Sequence, residues 1–419
     1  MDPVTLALIL SGSIIIIGFL ANSVFERTGF PDMLFLIVLG IIIGPVTGLV
    51  DSASILEFAP YLAALAVVFI LFDGGMKMNI YRVFSESPRA AILAIAGFAL
   101  SVLAVTLLMA SIVIPEAPLM YSVLFGTILG GSCAIAVVSL AGKIEINDKC
   151  STILNLEAAL TDILCIVFSL IVIEIILGGS MDLTAISRSI ASRFSIGVVL
   201  GLLFGLIWLS FMKRTVGSAY AYMLTLAVVL LTYAISEFLG GSGALSALLF
   251  GVTLGNEKEI YQILRMKRPS NMVVDGGLKR FESEIAFLLR TFFFVFIGLI
   301  ASISSVSVVI TGVILSLVLL LVRFGSVSLA TIHSELLEER AIMSVTLTRG
   351  LAAAVLATIP LQYATSDAIA KYGLPAEYFA KLSLLYINVV VIVILTTAVI
   401  ASIGIPLLKR KAKRPCQKQ

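Results

Sequence analysis

The sequence predicts an all-α, polytopic membrane protein of about thirteen transmembrane helices, and three observations carry that prediction. The 419 residues are 60% hydrophobic and only 13% charged, against a charged share nearer a quarter in soluble domains. Mean hydropathy is +1.14. The apolar residues come in separate runs of roughly twenty, each long enough to cross about 30 Å of hydrocarbon as a helix, which argues against a β-barrel or a single anchored globular domain.

Charged and Gly/Pro clusters divide the runs. Span one, residues 4–24, stops at Glu26-Arg27. Span two, 32–50, follows Pro31 and stops at Asp51. Span three, 58–77, ends through Asp73-Gly74-Gly75 at Lys77. Span four, 88–113, opens at Pro88-Arg89 and stops before Pro115-Glu116. Span five, 118–141, opens at Pro118 and stops before Lys143. Span six, 151–178, follows Asp148-Lys149 and ends at Gly178-Gly179. Spans seven and eight, 194–212 and 219–239, flank Lys213-Arg214. Span nine, 242–255, begins after Gly240-Gly241 and stops at Asn256-Glu257-Lys258. Spans ten to thirteen cover 283–303, 306–330, 340–362 and 382–408, the last closed by Lys409-Arg410. The first run is too long for a signal-peptide core and lacks a basic lead, so it is expected to stay in place.

The positive-inside rule tests the count. One set of alternate loops, with the C-terminal tail, holds 22 of the 28 Lys and Arg residues, Arg323 and Arg340 being assigned to the loop between spans eleven and twelve. The opposite set holds Arg188, Arg193, Lys371 and Lys381, which leaves Arg290 and Arg349 within apolar spans. The predicted topology has the N-terminus outside and the C-terminus in the cytoplasm of a prokaryotic plasma-membrane protein. Residues 409–419 read as a basic tail that touches anionic lipid, and 256–281 as a solvated linker.

Thirteen also divides as six, one and six. That arithmetic predicts an N-terminal repeat over 1–193, a linker helix over 194–218 and an inverted repeat over 219–408. The Gly130-Gly131-Ser132-Cys133-Ala134 cluster in span five and Arg349-Gly350-Leu351-Ala352 in span twelve occupy corresponding positions. Such clusters suit either unwound backbone that holds an ion or close helix packing.

Charge inside an apolar span costs at least about 2.5–3.5 kcal/mol and needs a partner or a purpose. Span six contains Glu157 and Asp162, five residues and hence about 140° apart on a helix. Arg349 is the expected counter-ion for one of them, which leaves the other carboxylate as a proton or cation site. Arg290 is expected to pair with Glu282 or Glu284; Asp73, Glu237 and Glu174 are expected near water. His333 and the four cysteines have no zinc or haem spacing, so no cofactor is implied. The net charge of +3 is accounted for by topology, so no nucleic-acid partner is expected. Gly241-Ser242-Gly243 lacks a histidine within assured reach, no HExxH occurs, and no paired aspartates are evident, so an enzyme is not expected.

In order and spacing, Glu157 and Asp162, the Arg349-Gly350-Leu351-Ala352-Ala353-Ala354 segment, the aromatic run Phe292 to Gly298 and the thirteen spans resemble the monovalent cation:proton antiporters. The similarity is to the NhaP and NHE branch, with Kef-like features. It implies an inverted-repeat fold of the NhaA and NapA type and a homodimer. Spans one to three and eight to ten would form a fixed interface domain, and spans four to six and eleven to thirteen a mobile elevator core. Broken spans five and twelve would cross near Gly131, Ser132 and Gly350. Asp162 matches the cation- and proton-binding aspartate, and Glu157 with Arg349 the structural ion pair. Thr161 stands where relatives have Asn or Asp, and Ser132-Cys133 where many have Thr-Asp. The implied activity is electroneutral Na⁺ or Li⁺ exchange for H⁺, with K⁺/H⁺ exchange as the alternative. An ion channel and an organic-anion carrier on a related fold are further alternatives.

Overall fold

The computed structural model describes residues 3–28, 30–50, 59–78, 80–133, 148–178, 183–215, 220–263, 265, 274, 276–302, 305–332, 339–362 and 376–413. Every regular element among them is helical. In chain order these are α1 (Pro3–Thr28), α2 (Asp32–Ile41), α3 (Ala59–Lys77), α4 (Ile80–Leu108), α5 (Leu119–Ile128), α6 (Asp148–Gly178), α7 (Leu183–Thr215), α8 (Ala221–Phe238), α9 (Gly243–Gly255), α10 (Glu257–Ile263), α11 (Gly276–Ile300), α12 (Val306–Ala330), α13 (Arg340–Val345), α14 (Leu351–Gln362) and α15 (Ala376–Lys413). Eight helices are long and apolar enough to cross a membrane, and four apolar stretches are shorter: Asp32–Val46, Leu119–Ile128, Gly243–Gly255 and Leu351–Pro360. The chain is therefore an all-helical polytopic membrane protein.

Length separates the two kinds of helix physically. At 1.5 Å per residue the ten residues of α5 reach only about 15 Å, half a hydrocarbon core. Outward surfaces fit lipid: Leu8, Ile16 and Phe19 of α1 are 69%, 62% and 66% exposed, which water would not tolerate in such density. Helices α2 and α4 end in π-helical turns, Ile42–Val46 and Met109–Val113. In the first, Pro45 has no N–H to give and its ring excludes the usual i−4 carbonyl.

Contacts divide the chain into two units. The first comprises residues 1–60, 86–179 and 291–419, and so holds predicted spans four to six and eleven to thirteen together with one and two. Inside it α12 and α14 pack on α15, and α5 packs on α6. Tyr386 of α15 donates from its hydroxyl to the Tyr121 carbonyl at 2.6 Å, and its ring lies 4.8 Å from that of Phe125. Helices α2 and α11 meet backbone to backbone at Gly40 and Gly298: a Cβ on Gly298 would stand 2.9 Å from the Gly40 Cα and would collide with the Ile37 carbonyl.

The second unit comprises residues 61–85 and 180–290. Helix α9 packs on α7 and α8 around a core that includes Phe72, Met76, Trp208, Met212, Val229, Phe250 and Leu254. Here α3 and α9 make a glycine-mediated approach of the same kind, Gly75 lying against Leu248 and Gly251 against Phe72. Asn256 closes this end by donating to the carbonyls of Met78 and Val252, at 2.7 and 2.8 Å, and accepting the Ile80 N–H at 2.9 Å. The predicted solvated linker thus begins with buried structure: Asn256 and Glu257 are each 2% exposed.

Small residues are what permit these approaches, because without water to drive apolar contact, close backbone packing is what holds such helices together. Gly298→Ala is expected to destabilise the protein by about 1–3 kcal/mol through overpacking. Gly325→Ala, at a glycine with nothing within 4 Å of an added Cβ, is expected to be neutral or slightly stabilising. Thermal melts in detergent compare the two.

Candidate functional site

The small-residue cluster of span five stands where its described helix stops, and that of span twelve interrupts its helix. Helix α5 ends at Ile128, and residues 129–133 are non-helical; the residues from Ala134 to Asn147, including the rest of span five, lie outside the described residues. In span twelve α13 stops at Val345 and α14 starts at Leu351, with Thr346 to Gly350 non-helical between them. The two interruptions touch. The Cys133 N–H donates to the Thr348 carbonyl at 2.7 Å, and a Cβ on Gly350 would stand 2.8 Å from that of Cys133 and collide with its sulfur.

An interrupted helix frees backbone groups that lipid cannot satisfy, and two threonines take corresponding ones. The Ser132 N–H donates to the Thr161 hydroxyl of α6 at 3.1 Å. The Arg349 N–H donates to the Thr397 hydroxyl of α15 at 3.2 Å. Thr161 passes its own hydrogen to the Ala158 carbonyl at 3.0 Å, and Thr397 to the Val393 carbonyl at 2.7 Å.

The ion pair departs from the sequence expectation. Glu157 pairs with Arg323 of α12, not with Arg349: Nη1 and Nη2 lie 2.8 and 3.0 Å from Oε1 and Oε2, a two-pronged bond between side chains only 2% and 6% exposed. Arg323 also donates from Nε to the Met343 carbonyl of α13 at 3.2 Å, and the Ser132 hydroxyl donates to Glu157 Oε1 at 2.5 Å. This one pair therefore joins α6, α12 and both interrupted spans. Arg323 had been counted with the loops although it lies inside predicted span eleven; its place seven residues before the end of an apolar helix was the signal that could have found it.

Arg349 has another task. Its Nη1 donates to the carbonyls of Gly130, at 3.3 Å, and Gly131, and its Nη2 to the Ser101 hydroxyl of α4 at 3.4 Å. Those carbonyls belong to the non-helical residues just past the C-terminal end of α5, a region where a cation is favourable. Nothing in the composition marked Ser101 or Thr397, since buried hydroxyls are common in helices.

Asp162 lies five residues beyond Glu157 on α6, on a different side of the helix, and is partly exposed. It interacts electrostatically with Glu157 and Arg349, yet among the described residues no hydrogen bond or ion pair holds its carboxylate. Just before the apolar part of α6, burial, reinforced by a hydrogen bond with Glu339, pushes the Cys150 thiol up. It stays neutral and adds no charge beside Arg323. Of the lesser candidates, Glu237 accepts the Gly243 N–H at 2.7 Å. Arg280, not Arg290, pairs with Glu284, at 3.0 Å, and Arg290 stands over the Phe287 ring at 5.6 Å. His333 and the Glu174 side chain lie outside the described residues.

Comparison with known proteins bears on what such a crossing does. Residues 12–411 match the family model described as sodium/hydrogen exchanger, transmembrane. The K(+)/H(+) antiporter NhaP2 of Shewanella sp. (strain MR-4) is 29% identical over 249 residues, 58% of this chain and 42% of that protein. The K(+)/H(+) antiporter NhaP of Alkalimonas amylolytica is 25% identical over 299 residues, 69% of this chain and 50% of that protein. The matches thus span half or less of these relatives' lengths. The structure of the sodium proton antiporter MjNhaP1 from Methanocaldococcus jannaschii at pH 8 superposes with a TM-score of 0.80 at 20% identity, covering 97% of this chain and 99% of that one.

Removing one partner of a buried ion pair strands the other, at a cost of about 3–5 kcal/mol. Arg323→Ala is expected to lower stability by that amount in a detergent melt, and Glu157→Gln added to it to recover most of the loss. Glu157→Gln combined with Arg349→Ala should recover nothing. Recovery in that second pair alone would restore the Glu157–Arg349 assignment.

Proposed function

This chain belongs to the sodium/hydrogen exchanger family, and from that membership we propose that it exchanges one monovalent cation for one proton at Asp162. The observation that carries the proposal is the division of labour among four charges. Glu157 and Arg323 neutralise each other, and Arg349 is engaged by the carbonyls of Gly130 and Gly131. Asp162 is left as the carboxylate that the frame does not use. One carboxylate takes a cation or a proton but not both, so the two compete and the exchange is one for one and electroneutral.

The cation's oxygen ligands follow from the hydrogen-bond directions. Ser132 gives its hydroxyl hydrogen to Glu157, so its oxygen lone pairs are available to a cation. Thr161 accepts one N–H and keeps a second lone pair. The Gly130 and Gly131 carbonyls are already shared with Arg349. Cys133 replaces the carboxylate expected in many relatives with a soft thiol that suits alkali cations poorly, which leaves Asp162 as the acidic ligand. Na⁺ or Li⁺ is the proposed substrate. K⁺ is the second reading, and the relatives named as K(+)/H(+) antiporters favour it.

The proposed architecture has thirteen crossings arranged as two inverted repeats about span seven. Three recurrences support it. Helices α2 with α11 and α9 with α3 are corresponding pairs of spans, and both approach through glycines. Spans five and twelve are both interrupted. A threonine on the following helix takes the Ser132 N–H in one half and the Arg349 N–H in the other. In the proposed cycle spans four to six and eleven to thirteen move as an elevator against spans one to three and eight to ten, in a homodimer. The N-terminus lies outside and the C-terminus in the cytoplasm of a plasma membrane.

Proton flux driven by Na⁺, Li⁺ or K⁺ in proteoliposomes tests the proposal. One of these cations is expected to move protons in the wild type regardless of an imposed membrane potential, and Asp162→Asn to abolish the flux while leaving the melting temperature near that of the wild type. Flux that survives the substitution would falsify Asp162 as the exchange site; flux that follows voltage would overturn the one-for-one stoichiometry.

A further inference from the structure

The break in span twelve holds a buried hydroxyl that the exchange cycle proposed above does not use. Thr348 lies in the non-helical stretch between α13 and α14. It is 1% exposed, and its Oγ1 is shut from solvent with no hydrogen-bond partner among the described residues. Leaving a buried hydroxyl unmet is unfavourable, so one that is retained calls for a reason.

Three other buried serine and threonine hydroxyls among the described residues share that condition, those of Ser122, Ser236 and Thr291. Each stands inside a continuous helix, α5, α8 or α11. There a turn about χ1 brings the hydroxyl onto the carbonyl three or four residues earlier, as it does for Thr232, Thr253 and Ser402. Thr348 has no helical turn beneath it. Its neighbours are committed: the Thr346 hydroxyl donates to the Met343 carbonyl at 2.8 Å, the Arg349 N–H to Thr397, and the Thr348 carbonyl accepts the Cys133 N–H at 2.7 Å.

That last bond sets Thr348 against the segment that carries Ser132. Gly350 meets the Cys133 side chain, and Arg349, between the two, interacts electrostatically with Asp162. The Thr348 oxygen thus belongs to the crossing from the span-twelve side, as that of Ser132 does from the span-five side. An alkali cation takes several oxygen ligands, and the set proposed above draws only on α6 and the segment after α5. The Gly130 and Gly131 carbonyls are held by Arg349. A hydroxyl that donates to no protein group keeps its lone pairs for a cation. The Arg349 Nε is also buried without a partner among the described residues, but it only donates and serves a water, not a cation.

We propose that the Thr348 hydroxyl is an oxygen ligand of the transported cation, contributed by the irregular segment of span twelve. The role rests on the exchange at Asp162 proposed above and adds to it. The cation draws oxygen from both irregular segments, Ser132 on one side and Thr348 on the other, whereas a proton on Asp162 engages neither. Cation-loaded and proton-loaded forms then differ in how the two segments are tied together. The number of coordinating oxygens bears on selectivity among alkali cations, so Thr348 bears on which cation is carried.

Thermal melts of the purified full chain in choline, titrated with Na⁺, Li⁺ or K⁺, and exchange kinetics in proteoliposomes test it. Thr348→Val keeps the shape and removes the oxygen. In choline it is expected to melt at or above the wild-type temperature, because an apolar group replaces an unmet hydroxyl. The cation concentration that gives half the stabilisation, and the KM for that cation, are each expected to rise about two- to tenfold, the scale of one lost polar contact, with the maximal rate changed less. Thr348→Ser, which restores the hydroxyl, is expected to return both to the wild-type range. Thr348→Ala, which also lacks the oxygen, takes the place of the valine variant if that one does not fold. The proposal is overturned if loss of the hydroxyl leaves both cation constants unmoved; a lower melt in choline beside them would then assign Thr348 to a structural water shared with Arg349 Nε. Cation stabilisation weakened by Asp162→Asn but not by Thr348→Val would strike this ligand and leave the exchange site standing. The reverse would strike Asp162 as the exchange site and leave Thr348 as a ligand.

Discussion

The Glu157–Arg323 pair is the interaction on which the rest of the site depends. Breaking two membrane helices is costly, because every N–H and C=O released has to find a partner without water. A bidentate pair between α6 and α12 supplies a fixed point with spare capacity. Glu157 takes the Ser132 hydroxyl from one interruption, and Arg323 takes the Met343 carbonyl from the half-helix that leads to the other. Two full-length helices thereby hold two half-helices. A buried pair of this kind is seldom retained for net stability, since hydrophobic residues of the same volume do as well or better. What it contributes here is position.

The interruptions are also satisfied in a patterned way. Each donates one freed N–H to a threonine, Thr161 in one case and Thr397 in the other, and the two strands of irregular backbone bond to each other through Cys133 and Thr348. Such backbone can lie at membrane depth because it is enclosed by protein. Thr161 and Ser132 hold this structure together with one part of each hydroxyl and keep oxygen lone pairs in reserve with the other. If the proposed ligand set holds, frame and ligands are built from the same groups, and shifting either irregular segment disturbs both.

Much of this was legible in the sequence, for reasons that also mark where it stopped. Long apolar runs made the helices visible, because in lipid length and hydropathy together dictate a span. The glycine clusters pointed to spans five and twelve, and the structure breaks the helices there. The partner of Glu157 was not legible. Both candidate arginines sit in apolar helices, and a one-dimensional count assigned Arg323 to a loop because the positive-inside rule rewards placing basic residues outside the membrane. Which arginine meets which acid depends on helix rotation, which α12 carries no periodic signal to set. Ser101 and Thr397 were invisible for a different reason: a hydroxyl that bonds its own helix and one that caps a neighbour look alike in sequence. Arg290 had been expected to meet Glu282 or Glu284, but those acids lie eight and six residues away on the helix, outside the i,i+3 and i,i+4 spacing at which side chains meet. Glu284 bonds Arg280 at i,i+4 instead, and Arg290 stands over the Phe287 ring.

The pairing has a consequence for the chemistry at Asp162. Had Arg349 been required to neutralise a carboxylate, a transported cation would have to compete with a permanently charged guanidinium that cannot give up its proton. The break after α5 gives Arg349 hydrogen-bond partners other than a carboxylate. It places the Gly130 and Gly131 carbonyls in non-helical backbone just past α5, where they accept from the Arg349 guanidinium, which also donates to Ser101. The charge of Arg349 is thus met largely by backbone dipoles, while Arg323 meets Glu157. Interrupting the helix is then more than a way to expose carbonyls to a passing ion. It supplies carbonyl partners for one arginine, and Asp162 is left, among the described residues, as the α6 acid that no hydrogen bond or ion pair holds.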